Sequence, residues 1–137
     1  MDMRRLSVII VLLIAFTALA CQEGGRVTIS LVSPSQNAEV GLSEIVKGKV
    51  SDPSARIYVI VHPLLTNLWW IQRIPSPPNT DGSFQTLCYF GTETKGVGES
   101  FEIAAIVTNK TYVEGQILKE SSKNAGMSDI VTVRRTK

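Results

Sequence analysis

The sequence predicts an all-β fold: an antiparallel β-sandwich of seven or eight strands, with one short helix before the last strand. Three observations carry that expectation. Short runs rich in β-branched and aromatic residues recur along the chain. Clusters of Pro, Gly, Asn, Asp and Ser separate them. Only one stretch shows apolar residues at three-to-four spacing.

The runs justify themselves in order. "VTISL" (Val27–Leu31) alternates, with Val27, Ile29 and Leu31 on one face. "SPSQNAEVG" interrupts it as a turn region, and "EIVKGKV" (Glu44–Val50) follows. Asp52-Pro53 suits the start of a turn. "RIYVIVH" (Arg56–His62) is apolar on both faces, as a covered central strand is, and Pro63 stops it. "LWWIQRI" (Leu68–Ile74), "FQTLCYF" (Phe84–Phe90), "FEIAAIV" (Phe101–Val107) and "DIVTVRR" (Asp129–Arg135) are further strands. The helix is expected in "TYVEGQILKESS" (Thr111–Ser122), kept to one or two turns by Gly115. The closing "TVRRTK" reads as a solvated basic tail.

The first twenty residues are expected to be a signal peptide rather than part of the fold. Arg4 and Arg5 precede the uncharged run Leu6–Ala20, which ends in small residues. Fifteen residues fall short of the roughly 20 that span a bilayer as a helix. The junction Ala18-Leu19-Ala20-Cys21 resembles the lipobox of bacterial lipoproteins. That resemblance implies cleavage before Cys21, lipid on its sulfur, and a membrane as partner. Ala18-x-Ala20 also fits an ordinary small-residue cleavage site, so the two readings differ only in whether Cys21 carries lipid. The expected layout is therefore signal peptide 1–20, tether 21–26 and sandwich domain 27–137, exported and membrane-anchored at the cell surface or in the periplasm.

Composition narrows the function classes. Beyond Cys21, twelve Lys and Arg face eleven Asp and Glu, and no basic stripe of the kind nucleic acid requires is present. One histidine and two cysteines offer no metal set, and no cofactor motif is found. Cys88 reads as a small buried hydrophobe; a disulfide to Cys21 is open only if Cys21 is unacylated. "GVGE" (Gly96–Glu99) lacks the third glycine and the following helix of a phosphate loop. Asp52, Asp81, Glu93 and Glu99 read as solvated loop carboxylates, and Asn109-Lys110-Thr111 is a formal glycosylation sequon. His62 has no nucleophile signature beside it and reads as a strand-end residue capping a core, so no enzyme is expected.

Two further stretches carry a family resemblance. "SPSQNAEVGLSEIVKGKVSDPSARIYVIV" (Ser33–Val61) is similar to the opening half of Ig-like modules of exported prokaryotic proteins, and "NTDGSFQ" (Asn79–Gln85) looks like their turn-and-strand. The resemblance implies an Ig-like sandwich used for binding, adhesion or spacing, with an unknown protein or glycan partner.

One pattern remains. "LWWIQRI" holds the chain's two tryptophans, which must point to opposite faces of a strand. Leu68, Trp70, Gln72 and Ile74 form the more apolar face, so Trp70 is expected toward the inter-sheet core and Trp69 outward beside Arg73. An outward ring packs under the chain's own Tyr112–Leu118 segment, lines a partner interface, or stacks on a sugar with help from Tyr58 and Arg73. A separate reading makes the proline-stiffened "IPSPPNTDG" (Ile74–Gly82) an inhibitor's reactive loop.

Overall fold

The computed structural model describes residues 26–119 and 126–137. The expected signal peptide, Cys21 and the last part of the expected helix, 120–122, lie outside them. Among the described residues ten strands form two sheets: β1 (Ile29–Ser33), β2 (Ala38–Val40), β3 (Ser43–Val50), β4 (Ile57–Pro63), β5 (Trp69–Ile71), β6 (Ser83–Tyr89), β7 (Ser100–Val107), β8 (Ile117–Leu118), β9 (Gly126–Met127) and β10 (Val131–Arg135). The smaller sheet runs β1-β3-β6; the larger runs β2-β10-β7-β4-β5-β8, with β9 added beside β7. Every pairing is antiparallel except that of β2 with β10. The chain is thus an all-β sandwich.

The β4 pattern explains why two cores exist. Ile57, Val59 and Val61 face the smaller sheet and pack with Val46, Phe84, Cys88, Phe90, Phe101, Ile103 and Val133. Tyr58 and Ile60 face the other way and build a second cluster with Trp69, Ile71, Ala104 and Ile106. Tyr112, Leu118 and Met127 cover that outer cluster. A strand apolar on both faces needs a cover on both, and here the chain supplies one itself.

Two expectations are corrected. Among the described residues the stretch from Thr111 contains no helix; it is a turn at Glu114–Gly115 followed by β8. The reason is the open edge of β5. Gly115 N donates to Ile71 O at 2.8 Å, and Ile71 N donates to Gln116 O at 2.9 Å. A helix would leave that buried edge unpaired, and Gly115 at φ +83° supplies the turn. The second correction is β2, inside what reads as a turn. Val133, Arg134 and Arg135 of β10 pair with Ala38, Glu39 and Val40, a partner distant in sequence and invisible locally.

The "VKGKV" and "DGSF" stretches turn out to be two halves of one contact. Gly48 pairs with Phe84 across β3 and β6. A Cβ on Gly48 would meet the Phe84 ring at 2.3 Å and Ser30 O at 2.6 Å. Gly82, at φ +84°, turns the chain into β6 and places its carbonyl 2.9 Å from Val50 N. Gly48→Ala is therefore expected to cost about 2 kcal/mol, the scale of an overpacked core, measured by chemical denaturation. Shortening the ring as well, in Gly48→Ala with Phe84→Leu, should recover only part of it, because the Ser30 carbonyl still blocks the methyl.

Candidate functional site

The register places both tryptophans. Trp70 pairs with Val61, an inter-sheet core residue, and directly opposed residues share a face. Trp70 therefore lies on the inter-sheet side and Trp69 on the outer side. Exposure is the reverse of what facing alone suggests. Trp69 is 7% exposed, while Trp70 is 37% exposed. Of the three fates open to an outward ring, Trp69 takes the first and is removed as a contact candidate: Leu118 pairs with it, and the His62 ring stacks on it at 4.8 Å between centroids. Trp70 stays part-open because β6 packs mainly on β4 and meets the chain after β5 at Gln72 and Arg73.

Tyr58 is likewise corrected as a surface contact. It is buried, its hydroxyl accepts Tyr112 N–H at 3.0 Å, and its ring meets Tyr112 edge-on. Arg73 is exposed, and its carbonyl accepts the Thr86 hydroxyl at 2.6 Å. Trp69, Trp70, Arg73 and Tyr58 are therefore not one cluster. Ile74–Gly82 crosses from one sheet to the other, closed at its end by Asn79 N donating to Ser83 O.

What Trp70 does face is a groove of about 810 Å³ at one pole of the sandwich. Val61, Ile71 and Phe101 are buried residues of its lining; Trp70, Tyr89, Leu65 and Val97 supply exposed apolar surface. Thr66, Thr92, Thr94, Lys95, Glu99 and Glu114 add polar groups. An apolar concavity with a few polar groups is the usual form of a binding site.

Buried polar side chains hold the groove in shape. Gln72 Nε2 donates to Trp70 O at 3.2 Å, and its Oε1 accepts Tyr89 N–H at 2.8 Å. That side chain ties the end of β5 to β6. Arg135, 2% exposed, lies behind the opposite wall. Its Nη1 donates to the carbonyls of Phe90, Thr92 and Lys95 at 2.8, 2.5 and 2.7 Å, and its Nε to Lys137 O at 2.7 Å. The basic "TVRRTK" end is thus no solvated tail at Arg135. Gly91 and Gly96, at φ +83° and +109°, let the loop wrap the guanidinium; a Cβ on either would sit 3.1 Å from Nη1.

Sequence reasoning missed Tyr89, Gln72 and Arg135. Tyr89 stood in the alternation of its strand, but nothing local announces that the neighbouring sheet stops beside it. Elsewhere the candidate chemistry is internally engaged. His62 Nδ1 lies 2.8 Å from Glu102 Oε1, and Nε2 faces Thr66 O. Among the described residues no group of three or more His, Cys, Asp or Glu gathers to hold a metal. Asp52 and Asp81 each accept a backbone N–H and a hydroxyl, from Ser54 and Ser83, and those bonds lower both carboxyl pKa values. Burial pushes the Cys88 thiol far above its ordinary value. Native protein should therefore resist thiol alkylation at Cys88 for hours and react fully in denaturant; rapid native labelling would contradict that burial.

Fold and groove together define the class: an all-β, two-sheet module with an aromatic-lined groove at one pole. No family model matches this chain, and no curated protein matches it. Among solved structures it is similar to the endo-β-1,4-mannanase from Thermotoga petrophila, at 12% identity and a TM-score of 0.47. The match covers 85% of this chain and 21% of that one, so the chain spans about a fifth of that protein. A likeness of that size carries no argument about function.

Proposed function

We propose that the chain is an exported Ig-like module, lipid-anchored through Cys21, whose role is non-enzymatic binding through the Trp70 groove. The observation that carries this is the position of the groove. β1 enters opposite Val50, at the end shared with Ile57, Ser83 and Val107. Pro63, Tyr89, Phe101 and Arg135 lie at the other end, where the groove opens. About seven residues of strand at 3.3–3.4 Å each separate the poles by roughly 23 Å. A module tethered at its N-terminus thus presents its groove away from the membrane.

A glycan ligand is the second reading, favoured by the exposed Trp70 and Tyr89 beside hydroxyls, an amine and carboxylates. Tryptophan and tyrosine offer rigid amphipathic faces with little entropy to lose. Trp69→Phe leaves Trp70 as the sole tryptophan reporter. A ligand for the groove is expected to shift its emission, and Trp70→Phe, which retains buried Trp69, should stay silent. Silence of the Trp69→Phe protein across neutral, acidic and amino polysaccharides would remove the glycan reading. Photo-crosslinking from position 97 on the groove wall then tests for a protein partner; no specific adduct at the cell surface would remove the groove as a contact site.

A further inference from the structure

The pole opposite the groove has its own chemistry. Arg26, Lys49, Arg56 and Lys110 stand exposed there, with Lys47 further along the outer face of β3. Among the described residues they are opposed by Asp52 and Asp81, with Asp129 further along beside β7. Asp52 and Asp81 already accept two turn hydrogen bonds each, from Ser54 and Ser83. Arg56 Nη1 donates to Asn109 O at 3.2 Å and Thr111 Oγ1 at 2.8 Å, which fixes its charge beside Lys110. Between the strands at this pole opens a polar cleft of about 300 Å³, lined by Thr28, Ser30, Lys49, Val50, Ser51 and Asp81. The sequence puts Cys21 five residues before Arg26. At 3.3–3.6 Å per extended residue, lipid on Cys21 would keep this pole within roughly 18 Å of the bilayer.

We infer that this basic pole rests on an anionic membrane surface, with lipid phosphates against Lys49, Lys110 and Arg26 and headgroup oxygens at the hydroxyl-lined cleft. The inference rests on the proposed Cys21 anchor and adds to it an orientation. A lipid chain alone fixes distance and leaves the domain free to tumble; a second, electrostatic contact fixes which face is down. Each basic residue near an anionic leaflet contributes about fivefold in surface affinity, and the effect fades beyond a Debye length. The groove pole sets Lys95, Arg134, Arg135 and Lys137 against Glu39, Glu93, Glu99 and Glu114, and so lacks that excess.

The test uses the full-length protein, purified from membranes in detergent and reconstituted on vesicles. One set is neutral phosphatidylcholine; the other carries roughly a third phosphatidylglycerol, an anionic content chosen to give a surface potential of the physiological kind. Flotation reports attachment, and amine labelling read by mass spectrometry reports orientation. Lys49 and Lys110 are expected to label roughly fivefold more slowly on anionic than on neutral vesicles. Lys95 and Lys137 should be unchanged, and high salt should erase the difference. Lys49→Glu with Lys110→Glu, both exposed positions, should also release the protection of Lys47. Flotation on both vesicle types with identical labelling overturns the oriented pole and leaves the anchor standing. Flotation on anionic vesicles alone supports the pole and removes the anchor; flotation on neither removes both.

Discussion

Trp69→Ala is expected to destabilise the domain by about 4 kcal/mol, while Trp70→Ala costs about 1 kcal/mol or less. Trp69 is enclosed by its cross-strand partner Leu118 and the stacked His62 ring, so truncation leaves a cavity that a sheet edge cannot close. Trp70 touches the groove on an already open side, and its removal exposes little that was covered. Binding should show the opposite ranking. A central aromatic of an interface is commonly worth 2 kcal/mol or more, so Trp70→Ala should weaken a groove ligand about 30-fold. Denaturation curves paired with titration of each variant separate the two effects. Equal destabilisation by both substitutions would mean that Trp70 is a core residue and that the groove is not an open site.

Arg135→Met is expected to cost about 3 kcal/mol, because the buried Phe90 carbonyl and the part-buried Thr92 and Lys95 carbonyls lose a charged donor together. For a domain of this size that corresponds to a fall in Tm of roughly 12 °C or more. Methionine roughly matches the apolar stem of arginine and supplies none of the bonds to Phe90, Thr92 and Lys95. The loss is also expected to be local. Amide exchange should accelerate most at Thr92, whose N–H donates to Lys95 O at 2.9 Å, because the guanidinium organises that turn. Uniform acceleration across the sandwich would instead make Arg135 a general stability element with no special bearing on the groove wall. Arg135→Lys should lie between, since an ammonium keeps the charge and lacks the planar fork.

Several elements of this architecture were legible in the sequence because their physics is local. Alternation in Val27–Leu31 and Glu44–Val50, and the doubly apolar run at Ile57–Val61, state which faces are buried whatever the partner strand is. The turns at Asp52–Ser54 and Asp81–Ser83 are closed by side chains within two residues of the backbone they serve. Period-two geometry also assigned opposite faces to Trp69 and Trp70, and the cover named for the outer ring, Tyr112 and Leu118, packs on the same cluster.

Exposure was another matter. Whether a face is covered depends on where the other sheet ends, and that is fixed by pairings between distant segments. β6 packs mainly on β4 and meets the chain beyond β5 at Gln72 and Arg73; the inward-facing Trp70 is the open ring and the outward-facing Trp69 the closed one. The same non-local logic turned a helix-spaced stretch into β8, since the unpaired edge of β5 had a stronger claim on its backbone than its own periodicity did. It also buried Arg135, whose carbonyl partners lie some forty residues earlier. The sequence by itself determined strands β1, β3 to β7 and β10, their faces and the turns at Asp52 and Asp81, but not the short strands β2, β8 and β9. Only the tertiary structure decided which faces meet water, because that choice belongs to pairs of elements and not to any one of them.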